Sequence, residues 1–206
     1  MELPVRTVIA RLKTGTVILS PGSKLNLQSW QGTTGVTAIV APNLFHMGGI
    51  SKTMISFPQA KVWGVPGAKE LRPHIHWQGI LGQEEWPYHQ ELLPIAIGGM
   101  PKINEYVFFH TESRSLIVTD LCFNLLGQRG LGARMILGMF GTYNRFGISK
   151  FFLKHVKDQT AFRKSMQQVL ELDFQQILVS HGANLQGHST DNARKFLRKA
   201  LAERGF

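Results

Sequence analysis

The apolar positions fall into two regimes. Short, nearly continuous runs dominate the first two thirds, and helical stripes close the chain. "TVIARL" (7–12) and "GTVILSPG" (15–22) meet at Lys13-Thr14-Gly15, the pattern of an antiparallel hairpin. "VTAIVAP" (36–42) is a further strand signal, followed by "HMGGISKTMISFPQ", in which Met47, Ile50, Met54 and Ile55 recur at helical spacing, and then by the run "AKVWGVP". Pro66 to Leu71 can begin a short helix, and "WQGILGQEEWPYHQ" (77–90) reads as a loop. "ELLPIAIGG", "NEYVFFHT" and "RSLIVTDLC" read as three strands, with Thr111 to Ser113 joining the last two. Two helices end the chain, "DQTAFRKSMQQVLEL" capped by Asp158 and "STDNARKFLRKALAER" capped by Ser189 or Thr190. The strand "QQILVS" lies between them and runs directly into His181-Gly182.

Each half thus has strands followed by helix, with no repeat, linker or low-complexity segment. The expectation is a single domain over 1–206 of mixed α/β (α+β) class, with helices on both faces of a mixed sheet system. A hydrophobic content of 43% against 17% charged residues supplies a core and argues against disorder.

Charge changes the picture modestly. The net charge of +10, from 23 Lys and Arg against 13 Asp and Glu, favours anionic partners. No helix-turn-helix, zinc-finger or aromatic-basic platform accompanies it, so nucleic acid is not the expected partner. The single cysteine, Cys122, excludes a disulfide framework, and its apolar surroundings suit a small buried residue rather than a nucleophile. With no signal-peptide pattern and no apolar run of spanning length, a cytoplasmic setting is expected. Leu121 to Phe152 is rich in apolar residues and glycines and is broken by arginines. It reads as core or as a contact between copies, in preference to a peripheral membrane contact. Its part "GQRGLGARMILGMFG" reads as a flexible or closely packed segment.

Three polar residues stand at or just beyond the ends of apolar runs: His46 after "VTAIVAPNLF", Asp120 closing "SLIVTD", and His181 after "QILVS". Sites in layered folds favour such positions, where accessible loops rest on a rigid scaffold. Two imidazoles and a carboxylate with open positions suit one Zn²⁺ or Fe²⁺. The plainer reading is a polar network: His46 capping the helix that begins there, Asp120 accepting from loop amides, His181 bonding a nearby carbonyl. His74 and His76 in "PHIHW" read as surface or groove residues. His110 lies near a turn, and His188 belongs to the entry of the last helix. No G-x-S-x-G elbow, Walker loop or H-E-x-x-H pair occurs.

The order of strands, "APNLFHMGG", "LIVTD" and "ILVSHG" resembles the metallo-β-lactamase-like superfamily, in a ligand-depleted branch. That resemblance implies a four-layer αββα sandwich and, in much of the superfamily, metal-dependent hydrolysis of esters, thioesters, amides or phosphodiesters. With His46 as the last His of the H-x-H-x-D-H loop, Phe45 stands at the Asp, Asn43 at the second His and Ala41 at the first. Gly98, Gly99 and Met100 occupy the region of the upstream His, and "SPG" stands where many members have an acid. The losses empty one metal position. At the other the resemblance leaves His46, Asp120 and His181, with Asn43 and Asp120 in catalytic roles. It implies a hydrolase holding at most one Zn or Fe ion and acting on a small anionic or ester-type substrate. The alternative is a metal-free binding protein that uses its basic surface for an anionic ligand.

Overall fold

The computed structural model describes residues 5–127 and 130–206. Two sheets form. In the first, β1 (Val8–Leu12), β2 (Gly15–Leu19), β3 (Val36–Val40), β4 (Lys61–Gly64) and β5 (Trp77–Ile80) lie in sequence order, antiparallel across the β1–β2 hairpin and parallel beyond it. In the second, β6 (Leu92–Ala96), β7 (Tyr106–His110), β8 (Ser115–Asn124), β10 (Gln176–Gly182) and β11 (Leu185–Gln186) lie in the order β11-β10-β8-β7-β6, with the short β9 (Phe146–Gly147) also on β8.

Three buried clusters define four layers. Helices α1 (Ile50–Ser56) and α2 (Ala68–Leu71) cover the first sheet through Ile39, Ile50, Val62 and Ala68. Val17, Leu19, Ala38, Val40 and Trp63 meet Trp86, Leu92, Phe108 and Ile117 between the sheets. Helices α5 (Gln159–Glu171) and α6 (Thr190–Ala202) cover the second sheet, with Phe162, Met166 and Leu197 against Val107, Leu116 and Val118. Neighbouring residues of one strand enter different clusters, Ala38 and Val40 facing the other sheet and Ile39 facing α1. Strands covered on both faces therefore read as unbroken apolar runs. The expected αββα sandwich is what forms.

Several expectations need correction. Residues 77–90 are not wholly loop, since Trp77–Ile80 pairs with β4 as the edge strand β5. Its Gly79 admits the Trp63 ring, whose atoms lie 2.4 Å from where a Cβ would stand, so a glycine that reads as a breaker is a packing site. Within 127–141, Leu131–Phe140 is a helix, α3. It buries Leu137 but turns Leu131, Met135 and Met139 outward at 86%, 73% and 65% exposure, so the core reading of 121–152 fails for its outer face. Helix α4 (Lys150–Leu153) follows, capped by Ser149. Asp158 and Ser189 cap α5 and α6, their side chains accepting from the N–H groups of Ala161 and Asn192. Cys122 is fully buried, and burial, with the charge of Glu105, pushes its thiol far above the ordinary range. No helix among the described residues is long and apolar enough to cross a membrane.

Candidate functional site

The site is built where β8 leaves its ladder. Val118 pairs with Val179, but the next pairing joins Phe123 to His181, so residues 119–122 bulge from the parallel pair. The amides freed in this way need acceptors. They find the carboxylate of Glu105, whose Oε1 accepts from the N–H groups of Thr119 (3.0 Å), Asp120 (3.1 Å) and Leu121 (3.3 Å) and from Thr119 Oγ1 (2.7 Å). Glu105 thus replaces a strand partner and leaves the side chain of Asp120 to face the site. Asp120 lies within β8 rather than at its end, and His181 within β10 rather than beyond it.

His46 comes from the other sheet, on the loop between β3 and α1. Asn43 shapes that loop: its Oδ1 accepts from the N–H groups of Phe45 (2.9 Å) and His46 (2.8 Å), a local turn that Asn favours. Asn43 Nδ2 donates to Asp120 Oδ2 (2.8 Å), Glu105 Oε2 (2.6 Å) and Thr119 Oγ1 (3.1 Å), tying the loop to β8. His46 does not cap α1; the cap is Gly49, without a side-chain bond. A Cβ on Gly49 would lie 2.2 Å from Pro21 O, so glycine lets the loop press against the turn after β2. Ser20, in that turn, takes the left-handed backbone (φ +54°) and places its Oγ 2.6 Å from His46 Nδ1.

The three candidate residues converge. His46 Nε2 and His181 Nε2 are 3.2 Å apart; Asp120 Oδ2 lies 3.3 Å from the first and Oδ1 3.2 Å from the second. Each offers a ligand atom within 4.8 Å of the others. Tetrahedral coordination with bonds of ~2.0–2.1 Å requires donor–donor edges of ~3.3 Å; the His46–His181 edge meets this, while the two contacts to Asp120 run to different oxygens, so the three residues make a candidate site for one ion. Phe123 stacks on His181 with centroids 4.8 Å apart and planes 8° from parallel, fixing that ring.

Electrostatics follow from burial and proximity. Burial works against the Asp120 carboxylate, yet hydrogen bonds and charge from His181 and His46 hold it far below the usual carboxylate range. Burial likewise disfavours the charged His46 ring, but Asp120, with Glu105 behind it, outweighs this and raises its pKa. Burial and the Asp120 charge lift Glu105 above the usual range, against the pull of Asn43 and Thr119.

Phe45 is half exposed, with its ring edge-on to His155, and lines a cavity above the three residues. His74, His76 and His188 are exposed and outside the cluster, and His110 Nδ1 pairs with Ser113 Oγ at a turn (2.7 Å). Sequence reasoning missed Glu105 and Ser20. A lone acid opening the apolar run "EYVFF" was the available signal for the first; for the second it was "SPG", standing where many members of the resembled superfamily have an acid, although the role of its serine depends on a local left-handed turn.

No family model matches the chain, and neither does any curated protein. Solved structures do. A metallo-β-lactamase from Pontibacter korlensis aligns over 95% of this chain and 88% of its own, at 13% identity and a TM-score of 0.57. The protein TTHA1623 in a di-iron-bound form aligns over 97% and 95%, at 14% identity and 0.61. A metal-soaked flavodiiron core, Flv1, from Synechocystis aligns over 98% of this chain and 53% of its own, at 10% identity and 0.62. At such identities the likeness speaks for architecture alone, and it agrees with the layers and strand order described above: the chain has the metallo-β-lactamase fold.

Proposed function

We propose that the protein is a hydrolase that holds a single Zn or Fe ion through His46, Asp120 and His181. The observation that carries this reading is the convergence of two imidazole nitrogens, 3.2 Å apart, on the Asp120 carboxylate, one oxygen of which lies 3.3 Å from His46 Nε2 and the other 3.2 Å from His181 Nε2. Such an ion, when bound, supplies a water activated near neutral pH and polarises the scissile carbonyl. The chain's own groups do the rest. Ser20 Oγ, accepting from His46 Nδ1–H, holds the ring in the tautomer whose Nε2 lone pair faces the site. Asn43 Nδ2 donates to Asp120 Oδ2 and so holds the carboxylate in the ligand position. Phe45, where the resembled loop has an acid, contributes an apolar wall instead. In the reaction a water oxygen bonds to the acyl carbon and the bond to the leaving oxygen or sulfur breaks. The leaving group takes one water proton, and the other is released with the carboxylate product.

A metal-free reading has one observation in its favour: the three side chains also satisfy one another directly, as a buried network can. Metal content decides between the two. Protein purified without added metal is expected to carry close to one Zn or Fe per chain, lost in His46→Ala and in His181→Ala. No metal in the parent protein, and no thermal shift on adding Zn²⁺ or Fe²⁺, would sink the hydrolase reading.

A further inference from the structure

The cavity over the three residues has a volume of about 510 Å³, within the ~300–1,000 Å³ of sites that enclose small ligands. His46, Asp120 and His181 line it, and its walls include Val5, Phe45, Phe123, Leu137, Phe140 and Phe151. Phe45, Phe123, Phe140 and Phe151 make much of the wall aromatic. Phe140 and Phe151 have centroids 5.8 Å apart, and His155, not itself in the wall, lies 5.1 Å from Phe151 and 5.9 Å from Phe45. Among the described lining residues there is no Lys or Arg, and the one acid is Asp120 itself. The Ser149 hydroxyl is already engaged, accepting from Phe151 N–H at the start of α4. Among the described lining residues, then, none of the 23 Lys and Arg behind the net charge of +10 faces the cavity. A phosphate would meet no cationic Lys or Arg partner among these residues, and a sugar few polar partners beyond the hydroxyls of Ser23, Thr142 and Ser149, a cost an apolar chain escapes.

We propose that this cavity is an acyl-chain site, so that the substrate class is an ester or thioester of a medium-length apolar acid. The chain lies along the aromatic wall while its carbonyl reaches His46, Asp120 and His181. The reacting bond rests on the hydrolase reading above; the apolar chain rests on the cavity alone.

Calorimetric titration of the full chain with butanoate, octanoate and dodecanoate tests it. Affinity is expected to rise two- to fourfold per methylene from butanoate to octanoate, the upper figure corresponding to ~0.8 kcal/mol per buried CH₂. Phe151 is 47% exposed, so Phe151→Asp leaves the core intact while placing a charge on the wall. That variant, like the cavity-filling Leu137→Trp, is expected to weaken dodecanoate binding at least tenfold. Equal affinity for all three acids overturns the proposal. So does dodecanoate binding that survives Phe151→Asp but is lost in Met135→Lys, which would place the chain on the outer face of α3. Metal content of the same samples separates the two readings. Chain-length dependence without metal upholds the cavity and removes the hydrolase; metal without chain-length dependence does the reverse.

Discussion

Every hydrogen-bonding group that meets the carboxylate of Glu105 is a donor: the N–H groups of Thr119, Asp120 and Leu121, the Thr119 hydroxyl and the Asn43 amide. A side chain with one oxygen fewer cannot serve them all. Glu105→Gln turns an N–H against one of those donors inside the protein, and breaking such a buried set costs on the order of 3 kcal/mol. Denaturant unfolding should register this loss; a change below about 1 kcal/mol would show that the bulge of β8 needs no carboxylate. His46, Asp120 and His181 were legible because each ends or follows an apolar run, which is a local property. Glu105 was not, because its role depends on a bulge between β8 and β10, strands about sixty residues apart in the chain. Ser20 was hidden for a related reason: its hydroxyl matters only once the backbone has turned left-handed and brought it to His46.

Among the elements, α1 depends on the close approach of its first residues to the turn after β2. A methyl group on Gly49 would meet the Pro21 carbonyl at 2.2 Å, whereas on Gly48 it would meet only Ser23 Cβ at 3.5 Å. Two adjacent glycines thus predict opposite outcomes. Gly49→Ala must displace the loop that carries His46 and should weaken metal binding at least tenfold in a competition titration, while Gly48→Ala leaves it within twofold. Equal effects would refute the close-approach account. The helices α5 and α6 were readable to their caps, because amphipathic spacing and an Asp or Ser at the first turn are local signals. The edge strand β5 was not, because Gly79 signals a break in sequence and a seat for Trp63 in space. Helix α3 was missed because its glycines and its two apolar faces give no one-sided stripe.

For the whole molecule, the titrating groups set the pH range in which the metal-free protein is most stable. Asp120, held below the ordinary carboxylate value of ~3.9, contributes stability that is present above that value and lost as pH falls through the depressed one. His46, raised above ~6.5, contributes stability that is full below that value and lost as pH rises through the raised one. Glu105, also raised, slopes the same way from a lower pH. Metal-free protein is therefore expected to resist urea better at pH 5.5 than at pH 8.5, with the difference narrowed in His46→Gln. A flat profile between those values would contradict the stated coupling of His46 to Asp120. Helices on both faces of a sheet system were legible in the strands-then-helix rhythm of each half; the four-layer order came only with the resemblance to the metallo-β-lactamase-like superfamily. The relative placement of the two sheets was not legible, because it is set by contacts such as Trp86, on the connection between β5 and β6, with Trp63 of one sheet and Phe108 of the other, at ring-centroid distances of 5.1 and 6.2 Å.

That placement bears on what a cation at the site would do. His46 belongs to the loop after β3 in one sheet, while Asp120 and His181 belong to adjacent strands of the other. An ion shared among them acts as a rivet through the sandwich. Loosening the packing between Trp63, Trp86 and Phe108 would then be felt as weaker ion affinity although no ligand has changed. By the same reciprocity, loading the ion would tighten a core that it never touches.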